Sequence, residues 1–317
     1  MEVYRTTDGT VAKYVHNDGS ETAIKTTPIV EYGGVYGKVT NKYNVFISTS
    51  VGCSVGCRFC YLTTKRCPIH NLSKDEIISN VLDAIEAEVK HRPILKELFA
   101  KLSWMGMGDA YFDTQKMYEV SSTVAGEIIK RGLAKGIDGI DVSTTLPKLP
   151  DFKKGDGVID LAKYINCYIL NPERKYGTKD SRFPVRLFYS YHGGEEGIRK
   201  FLIPYSVSDI EALTYLKTLS NIDVTLVVHH MFFEGLNDTL RDAGEVLNFL
   251  KELGNVELRL LRFNECPGTI YRESPNFDKL VEHLYKFHKN IKVQSSPGSE
   301  VAASCGQFLL SNILDKR

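Results

Sequence analysis

Residues 52–61 read Gly-Cys-Ser-Val-Gly-Cys-Arg-Phe-Cys-Tyr (GCSVGCRFCY), which sets Cys53, Cys57 and Cys60 in a CxxxCxxC spacing. Three thiolates can hold three irons of a four-iron, four-sulfur cluster and leave the fourth iron open to a substrate or cofactor. A structural zinc site asks for four protein ligands, usually in two short-spaced pairs, and this spacing with an aromatic after the last cysteine fits it poorly. Cys67 and His70, in RCPIH, offer a distant fourth ligand, but Pro68 gives that stretch the character of a loop.

The stretch directly before the cysteines, VFIST (45–49), is rich in β-branched residues and predicts a strand. Similar runs recur at 102–107, 140–144, 185–191, 224–230 and 256–261. Between them lie helical patterns, among them SKDEIISNVLDAIEAEV from Ser73, with its capping serine and acidic first turn, and LRDAGEVLNFLKEL from Leu240. Strand-then-helix alternation predicts an α/β fold, a partial (β/α)6 TIM-like barrel, whose chemistry gathers at the C-terminal strand ends. Ahead of it, TTDG and HNDG predict hairpins turning at Asp8-Gly9 and Asp18-Gly19. The expected division is an N-terminal hairpin appendage over 1–40 and a core over 41–317.

Composition narrows the chemistry further. The 317 residues carry a formal net charge of +1, so any nucleic-acid contact must use a local patch. The basic runs KLPDFKK (148–154) and RKYGTKDSR (174–182), with Tyr176 between charges, are the candidates, against the ordinary reading of solvated loops. MEVYRTTDGT has no apolar signal core and no apolar run is long enough to span a bilayer, so a cytoplasmic protein without a membrane partner is expected. Seven cysteines, three of them crowded, suit ligands or reactive thiols in a reducing compartment rather than a disulfide framework. His229 and His230, adjacent in a strand, must point to opposite faces.

The cysteine spacing after a first barrel strand resembles the radical S-adenosylmethionine (SAM) superfamily, in which SAM chelates the open iron. SVGCSVGCRFC, WMGMGD, DVSTTLPK, YSYHGG, EGLNDT, FNECPGT and ASCGQ occur in the order found in the RlmN/Cfr family of RNA adenosine methyltransferases. The resemblance implies a [4Fe-4S] cluster on Cys53, Cys57 and Cys60. It also implies SAM contacts at Gly108, Asp109, Ser143, Ser190, Tyr191, His192 and Asn264. Asp109 stands where the family has Glu and is expected at the SAM ammonium, with capping of the following turn as the ordinary alternative; Tyr191 stands where the family has Leu. In the family the cysteine of the last motif, here Cys305, takes a methyl group from one SAM. A second SAM activates that methyl to attack an adenine carbon, and Glu21 resembles the base that removes the adenine proton. The implied partners are an RNA substrate (rRNA or tRNA) and an electron donor such as flavodoxin or ferredoxin, with the protein a monomer.

The chain departs from the family at Phe46, where relatives carry the cysteine that releases the product. Cys67 is a candidate substitute, whereas Cys167 and Cys266 suit packing. Relatives also begin with a helical RNA-binding region ahead of the hairpin at which this sequence opens. Two other readings remain open: a radical SAM enzyme with a different substrate or reaction, and a non-enzymatic iron–sulfur or zinc-binding module.

Overall fold

The computed structural model describes residues 1–26, 41–148, 185–195, 197–219, 224–266, 268–294, 298–303 and 307. The expected boundary at 40, most of the two basic runs, Cys167 and Cys305 lie outside them.

Ten strands form one sheet in chain order: β1 (Glu2–Arg5), β2 (Val11–Val15), β3 (Glu21–Lys25), β4 (Lys42–Phe46), β5 (Phe99–Trp104), β6 (Gly136–Thr144), β7 (Val185–Ser190), β8 (Val224–His230), β9 (Glu257–Leu261) and β10 (Ile291–Gln294). The first three form the expected antiparallel hairpins, turning at Gly9 and Gly19 with φ of 68° and 86°. β3 pairs antiparallel with β4, so the hairpins extend the main sheet rather than standing apart from it. From β4 to β10 every pairing is parallel. The six expected core strands are present, and β10 adds a seventh.

Five helices cover one face: α1 (Lys74–His91), α2 (Thr114–Lys130), α3 (Asp209–Leu219), α4 (Leu240–Leu253) and α5 (Phe277–Phe287). α1 starts on a capping box between Ser73 and Glu76, and α4 on one between Thr239 and Asp242, as their sequences predict. Strand residues of one parity, among them Leu102, Val142, Leu187, Val228 and Leu258, pack with Val81, Val124, Val246 and Val281 of the helices in one core. The other parity forms the inner face, and it is polar. Register carries Ser103 to Asp141 and on to Arg186, and Ser190 to His229 and on to Arg259.

That inner face stays folded because its charges are paired. Arg186 donates two hydrogen bonds to Asp141, at 2.8 and 2.7 Å. Lys101 lies 3.2 Å from Asp138 and 3.7 Å from Asp141. Burial nonetheless pulls the Lys101 pKa down to about 8.

Candidate functional site

The cysteine loop leaves the C-terminal end of β4 and is pinned by apolar wedges. Phe59 packs with Leu202, Ile203 and Phe233 on one side, while Tyr61, Leu62 and Met107 join a cluster with Cys53 and Cys60 on the other. The Arg58 amide donates to the Leu202 carbonyl at 2.9 Å, which fixes the loop against the segment after β7. Burial pushes the Cys53 thiol up to about 11. Cys57 is pushed well above the ordinary thiol range, first by burial and then by the neighbouring Cys53 and Cys60 thiols.

A thiol whose cost of ionisation is raised by two neighbouring thiols suits a site where all three share a polynuclear cation, whose charge offsets that cost. Among the described residues no group of three or more His, Cys, Asp and Glu closes on a point as a single metal ion requires. Sulfurs bound to one zinc at about 2.3 Å each must nearly touch, whereas a cubane holds its thiolates at separate corners. Three thiolates in this spacing, one short of a structural zinc site's four ligands, fit a cluster better than zinc, and His70 is exposed.

Gly106 and Gly108 follow β5, and Gly108 has φ +90°. A Cβ there would lie 2.6 Å from Ser50 Oγ, so only glycine lets this turn approach the start of the cysteine loop. Asp109 is buried and accepts four hydrogen bonds. Oδ1 takes the Tyr111 amide at 3.0 Å and the Thr144 hydroxyl at 2.8 Å; Oδ2 takes the Thr145 amide and hydroxyl at 2.8 and 3.0 Å. A carboxylate has about four lone-pair sites. All are engaged by the chain itself, so an ammonium reaches this carboxylate only by displacing one of them. Burial raises the Asp109 pKa against the pull of those bonds. An adjoining cavity of about 140 Å³, lined by Thr49, Ser54, Trp104 and Lys116 among others, is smaller than the roughly 300 Å³ at which typical ligand sites begin.

The other expected SAM contacts divide by parity. Ser143 and Ser190 are half-buried near the C-terminal ends of β6 and β7, on the inner face. His192 is buried with φ 44°; its Nδ1 accepts the Met231 amide at 3.1 Å and its ring meets Phe59 edge-on at 5.3 Å. Burial drives its pKa well below the ordinary value, so it stays neutral. Tyr191 requires a correction. Its ring stacks on Phe249 of α4 at 4.2 Å in the helix-side core, on the other side of the sheet from Ser190. Asn264, after β9, has a buried Nδ2 without a hydrogen-bond partner among the described residues.

Of the histidine pair, His230 faces the helix-side aromatic core and His229 the inner face, and both are buried. Glu21 is no surface acid: it is 1% exposed in β3, with Oε2 3.3 Å from Lys13 Nζ. Cys67 lies in the same cluster as Phe46, Cys53, Cys60 and Ala303, and its thiol is raised first by burial and then by Glu21.

Sequence reasoning missed Arg199. Buried on the short helix Ile198–Leu202, it ties Thr145, Ser206 and Val207 together, and its charge opposes the rise of the Cys57 pKa. A lone arginine in a helix carries no motif that would have pointed to it.

No family model matches the chain. It is 27% identical over 282 residues to a protein of Staphylococcus saprophyticus named "Probable dual-specificity RNA methyltransferase RlmN", covering 84% of this chain and 65% of the relative. A Staphylococcus epidermidis protein of the same name is 28% identical over 277 residues with the same coverage. The chain thus spans 65% of the length of the curated relatives it matches. Among solved structures, a radical SAM methyltransferase from Sphaerobacter thermophilus superposes with a TM-score of 0.67 at 21% identity, over 97% of this chain and 80% of that one. The chain is thus similar in sequence to proteins named RlmN, and in fold to a radical SAM methyltransferase.

Proposed function

We propose that the protein is a radical SAM enzyme that methylates an adenine carbon of RNA, with Cys305 as the methyl carrier. The observation that carries the reading is the gathering of the Cys53, Cys57 and Cys60 thiols in one half-buried loop after the C-terminal end of β4, in a chain similar to proteins named as RNA methyltransferases. Those thiols would hold a [4Fe-4S] cluster, and Ser143, Ser190, His192 and Asn264 are the side chains best placed for SAM. When bound, cluster and SAM supply one-electron chemistry and the transferred methyl group. His192, buried and held neutral, adds no charge to that region. Glu21 is the carboxylate proposed to accept the adenine proton. Cys67, in the cluster with Phe46 and Ala303, is the thiol proposed to release the product. The partners would be an RNA and a small electron-transfer protein. No described helix is long and apolar enough to cross a membrane.

Phe46 favours a second reading, a radical SAM reaction with another substrate or outcome, because a phenyl ring cannot form the disulfide that releases product in relatives.

Anaerobic reconstitution followed by iron and sulfide counting, and assay of reductive SAM cleavage, tests the first step. Cys57→Ala is expected to lose both the iron chromophore and SAM cleavage, whereas Cys266→Ala keeps them; retention of both in Cys57→Ala would remove the cluster assignment. Peptide mass spectrometry after turnover then separates the readings. Methylated or RNA-linked Cys305 supports the first, and unmodified Cys305 alongside cleaved SAM supports the second.

A further inference from the structure

Two lysines sit buried on the inner side of the hairpin strands, where an ammonium group is costly to place. Lys13 on β2 has a side chain 0% exposed, and Lys25 on β3 is 5% exposed as a residue. Both reach the segment that follows β10. Lys13 Nζ donates to the Ala302 carbonyl at 3.1 Å and Lys25 Nζ to the Ala303 carbonyl at 2.5 Å. These are successive carbonyls just past a single 3-10 turn, Ser299–Val301, with Ala302 held at φ 48°. Further contacts dock the same segment. Gly298 sits so close to Val11 that a Cβ would lie 3.1 Å from its Cγ1, Thr7 donates twice to Glu300, and Ala303 is fully buried. Each ammonium has a second anchor: Lys13 pairs with Glu21, and Lys25 lies 4.4 Å over the Phe46 ring.

Cys305 follows Ala303 by two residues, and two residues of chain span at most about 7 Å. We propose that Lys13 and Lys25 are positioning residues that clamp the Ala302 and Ala303 carbonyls and so set the place from which Cys305 acts. In this arrangement Glu21 and Phe46 hold the two lysines. The inference rests on the proposed role of Cys305 as methyl carrier, and it gives Phe46 a use of its own.

The test is the rate at which N-ethylmaleimide labels Cys305 in the full-length apo-protein, followed by peptide mass spectrometry. A charge-assisted hydrogen bond to a backbone carbonyl is strong enough that its loss should free the segment and speed labelling on the order of tenfold. That acceleration is expected for Lys25→Met and for Lys13→Met/Glu21→Gln, which removes the buried pair without orphaning a carboxylate. Lys25→Arg should restore the wild-type rate. Val124→Ala, which hollows the core under α2, should lower the thermal midpoint without speeding Cys305 labelling. In reconstituted protein given SAM and dithionite, Lys25→Met should keep cleaving SAM while methylation of Cys305 falls. Wild-type labelling rates in both lysine variants, or equal acceleration in Val124→Ala, would overturn the clamp. Labelling needs neither cluster nor SAM. A wild-type enzyme that cleaves SAM without methylating Cys305 would therefore refute the methyl-carrier reading and leave the clamp standing.

Discussion

Asp109 shows how the surroundings of one residue decide between two readings of the same motif. A carboxylate after MGMG can cap the turn or meet a ligand, and the four donors from Tyr111, Thr144 and Thr145 give the capping role a full account. It also stitches the loop after β5 to the end of β6, which places it beneath the site. Asp109→Asn replaces one acceptor oxygen by a donor and sets it against groups that also donate. The expected result is a loss of about 2–4 kcal/mol of stability, read by urea denaturation of the apo-protein. An unchanged midpoint would show that the four bonds contribute little and return Asp109 to the SAM ammonium.

At the scale of elements, much of the architecture was legible because periodicity and caps are local. The hairpin turns, the capping boxes of α1 and α4 and the six core strands all follow from short windows of sequence. β10 was not, since Ile291–Gln294 offers only four residues with two of them polar, too short a run for alternation to register. The orientation of Tyr191 was legible, since alternation carried one residue past β7 sets it opposite Ser190. The merging of the hairpins into the main sheet was not, because it depends on the pairing of β3 with β4 across the intervening residues. Inside the hairpins, His16 is buried with its Nε2 3.0 Å from Thr22 Oγ1, and burial pulls its pKa down to about 4, with Asp18 and Asp83 opposing. The unfolded chain, with a pKa near 6.5, binds more protons between those values. Stability therefore rises with pH across roughly 4 to 6.5 and is lost on acidification through that window. The share of His16 is on the order of 3 kcal/mol. His16→Gln should flatten the pH dependence of the urea midpoint between pH 5 and 7 by the part of that share that falls in this window, and buried His192, His229 and His230 account for dependence that persists. Superimposable curves for variant and wild type would exclude His16 as a contributor.

For the molecule as a whole, the site depends on holding the hairpin strands against the helices, since the proposed Cys305 clamp is built on those strands. Besides the β3–β4 pairing, one buried charge carries much of this attachment. Glu88 on α1 accepts from Tyr14 of β2 and from Arg5 of β1, the latter at 2.8 Å, and pairs with Arg92 at 2.5 Å. Arg92 in turn donates to the Gly9 carbonyl in the first hairpin turn at 2.7 Å. Burial alone would raise the Glu88 pKa, but the Tyr14 hydrogen bond, Arg92 and Arg5 outweigh it and hold the carboxyl below its ordinary value. The carboxylate thus contributes stability that is present above its unfolded pKa, near 4.5, and lost as pH falls through the lower folded value. Glu88→Ala strands two guanidinium groups and a phenol in the joint, at a cost of about 3–5 kcal/mol. Hydrogen exchange should localise that cost. Amides of β1–β3 are expected to lose protection, while those of β5 and β6, anchored by the helix-side core, keep theirs. In the same variant N-ethylmaleimide should reach Cys305 faster, because the lysines that hold its segment move with the hairpins. Uniform loss of protection across β1 to β6 would instead show that hairpins and barrel unfold as one unit, with Glu88 stabilising the whole rather than the joint.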